Sequence, residues 1–264
     1  SCGGCGRPRR VCLCESLPAA PLATRGATIV LQHPHEKKRR LNSIALLPRL
    51  LKFVEVIEGR KFCVRPEDER RPTVRFAGSL ARAVAGARRG WWRLLLLFPC
   101  ETAVTLGEGI AGLPPLATPE IAEIAEEEEG TEPGATLPRG KVDYVLCAID
   151  ATWRHADEMF RALPGELLEA ATAVQLPSSG SASHPLRKEP VEGGLMTLEA
   201  IAKAVGALSG DAALAAAVAR PLRAMVEQQA RYDPAVRQRV EAQQRRQQEQ
   251  EQEQEQEQEQ EQEQ

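Results

Sequence analysis

Three groups of residues in this chain have the types and spacing that chemistry needs. Cys2, Cys5, Cys12 and Cys14 form a CxxC followed by a CxC, with Gly3, Gly4, Gly6 and Pro8 among them. Four thiolates suit one zinc ion held tetrahedrally, and a site closed by four cysteines leaves no position for substrate, so its role is structural. The second group is Asp150-Ala151-Thr152-Trp153, which combines an acid, a hydroxyl and a large stacking face. It follows the apolar run Val142 to Ile149, and the carboxyl end of such a strand is where open α/β sheets collect ligands. The same residues also fit a plain structural role, because Asp and Thr are ordinary helix N-caps and an early helical Trp is usually core. On spacing alone, the cap is favoured. In the third group His33 and His35 flank Pro34, with Glu36 beside them. Without a third ligand this is weak evidence for a metal, and hydrogen bonding around a loop is the commoner arrangement. His155 supports no serine nucleophile, because no G-x-S-x-G element is present.

The elements that must position these residues read as alternating strands and helices. Ala27 to Leu31 is β-branched and apolar and is predicted to be a buried strand ending at Gln32-His33-Pro34-His35-Glu36. Residues 40–51 have helical periodicity despite Pro48, and Val54 to Ile57 reads as a short strand. Leu80 to Ala87 suggests a helix, and Trp91 to Phe98 a strand stopped by Pro99. The run before Asp150 is a further strand, and Trp153, Ala156, Met159 and Phe160 lie on a helix pattern. Helices are expected from about Thr197 to Leu208 and from Asp211 to Gln229, with Thr197 or Asp211 as N-caps. Such alternation argues for an α/β domain with a mainly parallel sheet. Cys63, Cys100 and Cys147 sit near apolar runs and read as packing residues.

At 264 residues, 42% hydrophobic and 27% charged, the chain supports one sizeable domain with appendages. The expected divisions are a cysteine segment over 1–24, a main domain over 25–230 and a disordered Gln/Glu-rich tail over 231–264. Within the main domain, 107–140 reads as an acidic flexible insertion. In the terminal repeat Glu recurs every second residue, which would set like charges at i and i+4 of any helix. Its eight acids from Glu249 onward mask a basic remainder, since removing them turns the net charge from −3 to +5. Arg7, Arg9, Arg10, Lys37, Lys38 and Arg39 cluster early, with Arg40, Arg70, Arg71, Arg88 and Arg89 behind them. Such clustering suits a polyanion such as RNA. No apolar run approaches the roughly 20 residues that span a bilayer, and no secretory segment is visible. The chain begins at Ser1 rather than methionine, which leaves room for a leader ahead of it. Seven cysteines, unevenly clustered, point to a reducing compartment, whether cytoplasm, nucleus or an organelle. Neither a P-loop nor G-x-G-x-x-G occurs, so ordinary NTPase and dinucleotide sites are not expected.

Six motifs occur in order: Cys2 to Pro8 with Cys12 and Cys14; Leu31 to Glu36 with Arg40 to Ser43; Leu97-Phe98-Pro99; Asp150 to Trp153; Leu186 to Pro190; and Met196 to Ala200. In this series the chain resembles the DTW-domain family, specifically its tRNA-uridine aminocarboxypropyltransferases. The resemblance spans roughly Cys2 to Leu208, apart from the acidic insertion. It implies a SPOUT-like α/β fold whose mainly parallel sheet is knotted and covered by helices on both faces. It also implies S-adenosylmethionine as donor of a 3-amino-3-carboxypropyl group, N3 of a tRNA uridine as acceptor, and methylthioadenosine as by-product. Carried across, Asp150, Thr152 and Trp153 become the catalytic set. His33, Pro34, Glu36, Pro99, Arg187, Thr197 and Glu199 become donor-binding residues. Ser43 stands where the family often has threonine and Ala151 where it often has glycine, and neither change removes a functional group.

An ordinary aspartate, with a pKa of about 3.9, is poorly matched to the weakly acidic imide of uracil. Asp150 is therefore expected either to be buried or to act by orienting N3. Trp153 reads equally as a stacking face or as buried structure. Arg187 suits the donor's carboxylate or an RNA phosphate, and Arg7, Arg9 and Arg10 are expected to grip tRNA. Two alternatives differ in class: a donor-dependent RNA methyltransferase on a similar fold, and a non-catalytic zinc-containing RNA-binding adaptor.

Overall fold

The computed structural model describes residues 1–39, 41–69, 73–107, 142–177 and 195–242, with 244, 245, 248, 249 and 252 beyond them. Arg40, Arg70, Arg71, His184, Arg187, the insertion beyond Gly107 and most of the Glu-Gln tail lie outside the described residues. The chain divides into two compact units. One comprises Ser1–Ser16, Ser178–Met196 and Arg220–Gln264, and the other Leu17–Pro177 and Thr197–Ala219.

The larger unit is built on a six-stranded sheet. Its strands are β1 (Gly26–Gln32), β2 (Val54–Glu58), β5 (Arg93–Leu97), β6 (Val104–Thr105), β7 (Tyr144–Asp150) and β8 (Ala171–Gln175). The order is β2-β1-β7-β5-β8-β6, and every pairing is parallel. Every residue of β1 and β7 is buried, as befits central strands of a parallel sheet, which are apolar on both faces. Ala27, Ile29 and Leu31 of β1 share one face with Val145, Cys147 and Ile149 of β7. They form a core with Leu80, Ala83 and Val84 of α3 (Gly78–Arg88) and with Ala156 and Met159 of α4 (Trp153–Arg161). Trp92 joins this core and donates its indole N–H to the Ala83 carbonyl at 2.9 Å, which ties α3 to the start of β5.

Several expectations change. The helix expected over 40–51 is a 3₁₀ turn, Ile44–Leu46, followed by the four-residue α2 (Leu47–Leu50). Pro48 sits in the first turn of α2, where its missing N–H has no partner to lose, and Asn42 takes the Ala45 N–H on its side chain. A two-stranded parallel ribbon, β3 (Lys61–Cys63) with β4 (Val74–Phe76), has no counterpart in the sequence reading. Nor do β6 and β8, or the short helix α5 (Gly165–Ala170). Thr197 is the first residue of α6 (Thr197–Ser209) rather than its cap. Asp211 caps the next helix as expected, accepting the Leu214 N–H at 3.0 Å. Cys63 and Cys147 are buried packing residues, whereas Cys100 is only half-buried and contacts the Thr102 hydroxyl.

In the smaller unit, Cys2–Cys14 folds around 3₁₀ turns at Arg9–Val11 and Cys14–Ser16. It is held by helix α7 (Ala212–Tyr232). Arg220 donates to the Ser16 carbonyl at 2.8 Å and Gln228 to the Cys12 carbonyl at 2.9 Å. These two donors are about two turns apart on one helix face. Residues 234–242, at the start of the expected disordered tail, are helical. Their charges are mixed rather than alternating, and Asp233 caps them through the Ala235 N–H at 2.9 Å.

Candidate functional site

Strands β1 and β7 are neighbours with Gln32 opposite Asp150, and both residues end their strands. From there the chain diverges. After β1 it leads to β2 on one side, and after β7 it leads to β8 beyond β5 on the other. Neighbouring parallel strands whose connections part in this way open a crevice at their carboxyl ends, where such sheets bind ligands. Asp150 is buried there and is the last residue of β7, not a helix cap. Its carboxylate oxygen Oδ2 accepts a hydrogen bond from Gln32 Nε2 at 2.8 Å, and its backbone carbonyl accepts the His33 N–H at 2.9 Å. The second hydrogen of Gln32 Nε2 goes to Asn42 Oδ1 at 3.3 Å, and Asn42 in turn donates to the Lys37 carbonyl at 3.4 Å. The acid is thus fixed by its neighbouring strand and by the loop after it.

Beside this clamp stand three imidazoles. His33 is the N-cap of the short helix α1 (Pro34–Lys37), and its Nδ1 accepts the His35 N–H at 3.2 Å. The loop hydrogen bonding expected of this pair is therefore present. His155, on the first turns of α4, lies flat on His33 with centroids 4.2 Å apart and planes 7° apart, and His35 meets both edge-on. Thr152 occupies the N-cap position of α4 but makes no cap hydrogen bond. Its hydroxyl pairs instead with His155 Nδ1 at 3.1 Å. His155 is the third candidate ligand that the sequence lacked, since one nitrogen from each ring lies within 4.8 Å of the others. Stacked parallel rings cannot both direct in-plane lone pairs at one ion, however, so this arrangement is not a formed metal centre. Burial, followed by the charges of His155, His35 and Arg60, pushes His33 down to about 4, with Glu158 opposing. His33 is neutral at physiological pH.

The four cysteines do fit a metal. Their sulfurs all lie within 4.8 Å of one another, with Cys2 3.5 Å from both Cys12 and Cys14 and Cys5 3.7 Å from Cys12. Four ligands about 2.3 Å from a tetrahedral zinc would be separated by nearly the same spacing. A side chain on Gly4 would strike Cys14 Sγ, so only glycine allows the thiols to close in. Backbone N–H groups, Cys5's first, lower Cys2 to about 6, while its bond to Cys2 raises Cys14 to about 12. A cluster that ionises one sulfur first is suited to recruiting a cation.

The DTW domain profile matches residues 1–230. The chain belongs to the DTW-domain family. It is similar to Arabidopsis thaliana tRNA-uridine aminocarboxypropyltransferase A, 30% identical over 224 residues that cover 80% of this chain and 73% of that protein. It is also similar to the Drosophila melanogaster tRNA-uridine aminocarboxypropyltransferase 2, at 28% over 228 residues, or 86% and 74% of the two chains. For the Mus musculus protein of the same name the figures are 26% over 238 residues, 89% and 65%. No solved structure matches the chain significantly.

The DTW motif residues fall into place unevenly. Asp150, Thr152, His33 and the buried Glu36 gather at the ends of β1 and β7, and Glu36 is paired with Arg39 at 3.0 Å. Pro34 opens α1, Trp153 opens α4 half-buried, and Pro99 follows β5 at the same end of the sheet. Thr197 and Glu199 begin α6, which packs on β7, and Glu199 pairs with Lys203 at 3.4 Å. Among the basic residues, Arg9, Arg10, Lys37, Lys38 and Arg39 are exposed. Arg7 bonds the Val11 carbonyl within the knuckle, and Lys37 pairs with Glu58 at 2.6 Å. Gln32 and Asn42 were given no role by the sequence reading. The signal for Gln32 was a polar residue ending an otherwise apolar strand.

Proposed function

We infer that this DTW protein is a tRNA-uridine aminocarboxypropyltransferase, moving the 3-amino-3-carboxypropyl group of S-adenosylmethionine to N3 of a uridine in tRNA. The observation that carries this reading is the buried Asp150 of the DTW motif, clamped by Gln32 at the switch point of a parallel sheet. Its likeness along most of its length to proteins of that name supports the same activity. The donor supplies an electrophilic carbon on a sulfonium, and methylthioadenosine leaves with the C–S electron pair. On the acceptor, N3 forms the new N–C bond and gives up one proton.

Gln32 fixes the Asp150 carboxylate, so the acid orients N3–H in the crevice and takes up its proton late in the transfer. Thr152 holds the His155 ring, and Trp153 offers a stacking face, a contact worth about 1–3 kcal/mol per base. His33, Pro34, Glu36, Pro99, Thr197 and Glu199 would hold the donor, with Arg187 on a carboxylate or phosphate. The orphaned buried Nε2 of His33 fits a polar ligand there. The proposal includes the SPOUT-like knot, residues 25–230 as catalytic domain, a structural zinc on Cys2, Cys5, Cys12 and Cys14, and a reducing intracellular compartment. Arg9, Arg10 and Lys38 would lie against tRNA.

Incubation with tRNA and labelled donor separates the readings. Methylthioadenosine as by-product is the expected result. Adenosylhomocysteine would identify a methyltransferase instead, and no by-product at all would leave an adaptor.

A further inference from the structure

We propose that His33 is a substrate-binding hydrogen-bond donor, offering Nε2–H to an anionic or partly anionic oxygen of the bound reactants. The inference rests on the aminocarboxypropyl-transfer reading. Its geometric basis is the tautomer. A backbone N–H can only donate, so the His35 N–H at 3.2 Å requires an unprotonated Nδ1 on His33. The proton of the neutral ring is then on Nε2. That atom is buried, in a residue only 1% exposed, and has no hydrogen-bond partner among the described residues. A buried donor left without a partner is costly, and a ligand oxygen would relieve that cost.

The ring also keeps its charge state. His155 lies flat against it, His35 meets its edge, and Arg60 lies near, while Glu158 is the opposing charge. A neutral N–H suits this reaction. As uracil N3 gives up its proton, negative charge spreads to the flanking carbonyl oxygens, and a donor there favours that loss without competing for the proton. The donor's carboxylate presents the same kind of oxygen. His155, half-buried, stacks over the His33 ring.

Two substitutions separate a donor from a mere cap. His33→Asn retains an N-cap oxygen for the His35 N–H but withdraws the distal donor. His33→Gln restores an amide N–H near the Nε2 position at the expense of the cap. The Asn variant is expected to fold with a near-native melting temperature and to lose about 10²–10³-fold in kcat/KM, with partial recovery in the Gln variant. The reverse order, Asn active and Gln impaired, would show that His33 only caps α1 and would overturn the proposal.

Calorimetry with S-adenosylmethionine identifies the oxygen. Weakened donor binding in the Asn variant points to the carboxylate, and unchanged binding with lower kcat points to uracil. Nitrogen-15 NMR of labelled histidine tests the tautomer without any turnover. A protonated Nε2 and bare Nδ1 from pH 5 to 8 are expected. A protonated Nδ1, or an Nε2 that gives up its proton when zinc is added, would contradict the assignment. Should the wild-type protein modify no tRNA, the NMR result would still stand and the failure would lie with the transfer reading.

Discussion

Asp150 and His33 draw their properties from opposite kinds of neighbour. Asp150 meets a donor, Gln32 Nε2 at 2.8 Å, whereas His33 Nε2–H meets no acceptor among the described residues. Asp150→Asn keeps the shape and can still offer its amide oxygen to Gln32, but an NH2 then replaces the other carboxylate oxygen, so the acceptor for the N3 proton is lost. A fall of about 10²–10⁴-fold in transfer rate is expected, with unchanged circular dichroism. A wild-type rate would remove Asp150 from the mechanism. His33 carries a pH dependence whose sign is fixed by burial. Its value falls from 6.5 to about 4 on folding, so between those values the unfolded chain binds a proton that the fold refuses. Stability should therefore decline as pH drops from 6.5 to 4, by up to about 3 kcal/mol. Denaturant midpoints at pH 7 and pH 5 should differ less in His33→Asn than in wild type, and identical slopes would assign the acid sensitivity elsewhere.

At the scale of elements, β1 and β7 were legible because a strand buried on both faces is written as an unbroken apolar run. That pattern alone places Asp150 and His33 at strand ends. By contrast β8, Ala-Thr-Ala-Val-Gln, is short and weakly apolar, and its pairing with β5 rather than its own sequence makes it a strand. Residues 40–51 carry a helical period, yet Asn42 and Pro48 each favour a short start, and two brief turns result. The Gln32 amide could not be assigned beforehand because its partner is 118 residues away in sequence. The cysteine segment was legible as a ligand set, but not the two donors of α7 that grip its carbonyls. Metal analysis should find one zinc per chain in this element, and its removal by a chelator should lower the melting temperature. Cys12→Ser should do the same without chelator. A metal-free protein that melts like the untreated one would show that the cysteines pack as thiols.

Across the molecule, the net charge of −3 conceals a basic remainder, because eight of the 37 acids sit in the terminal repeat with no base among them. Early basic residues are not equivalent, however. Arg7, Lys37 and Arg39 have partners within the protein, while Arg9 and Arg10 are exposed on the knuckle. Joint replacement of Arg9 and Arg10 by alanine should weaken tRNA binding and reduce the logarithmic salt slope by about 1.5, as expected for two lost phosphate contacts. An unchanged slope would place the tRNA elsewhere. No single motif in the sequence was decisive, and His155, which completes the imidazole stack, was set aside for want of a serine. What could be read was the ordered series, and two of its members, the strand-end His33 and Asp150, stand side by side in the fold. The most direct measurement is mass spectrometry of nucleosides from tRNA incubated with the protein and S-adenosylmethionine. A uridine carrying the 3-amino-3-carboxypropyl group at N3 is expected. A methylated nucleoside, or tRNA left unmodified by the folded, zinc-loaded protein, would contradict the assignment.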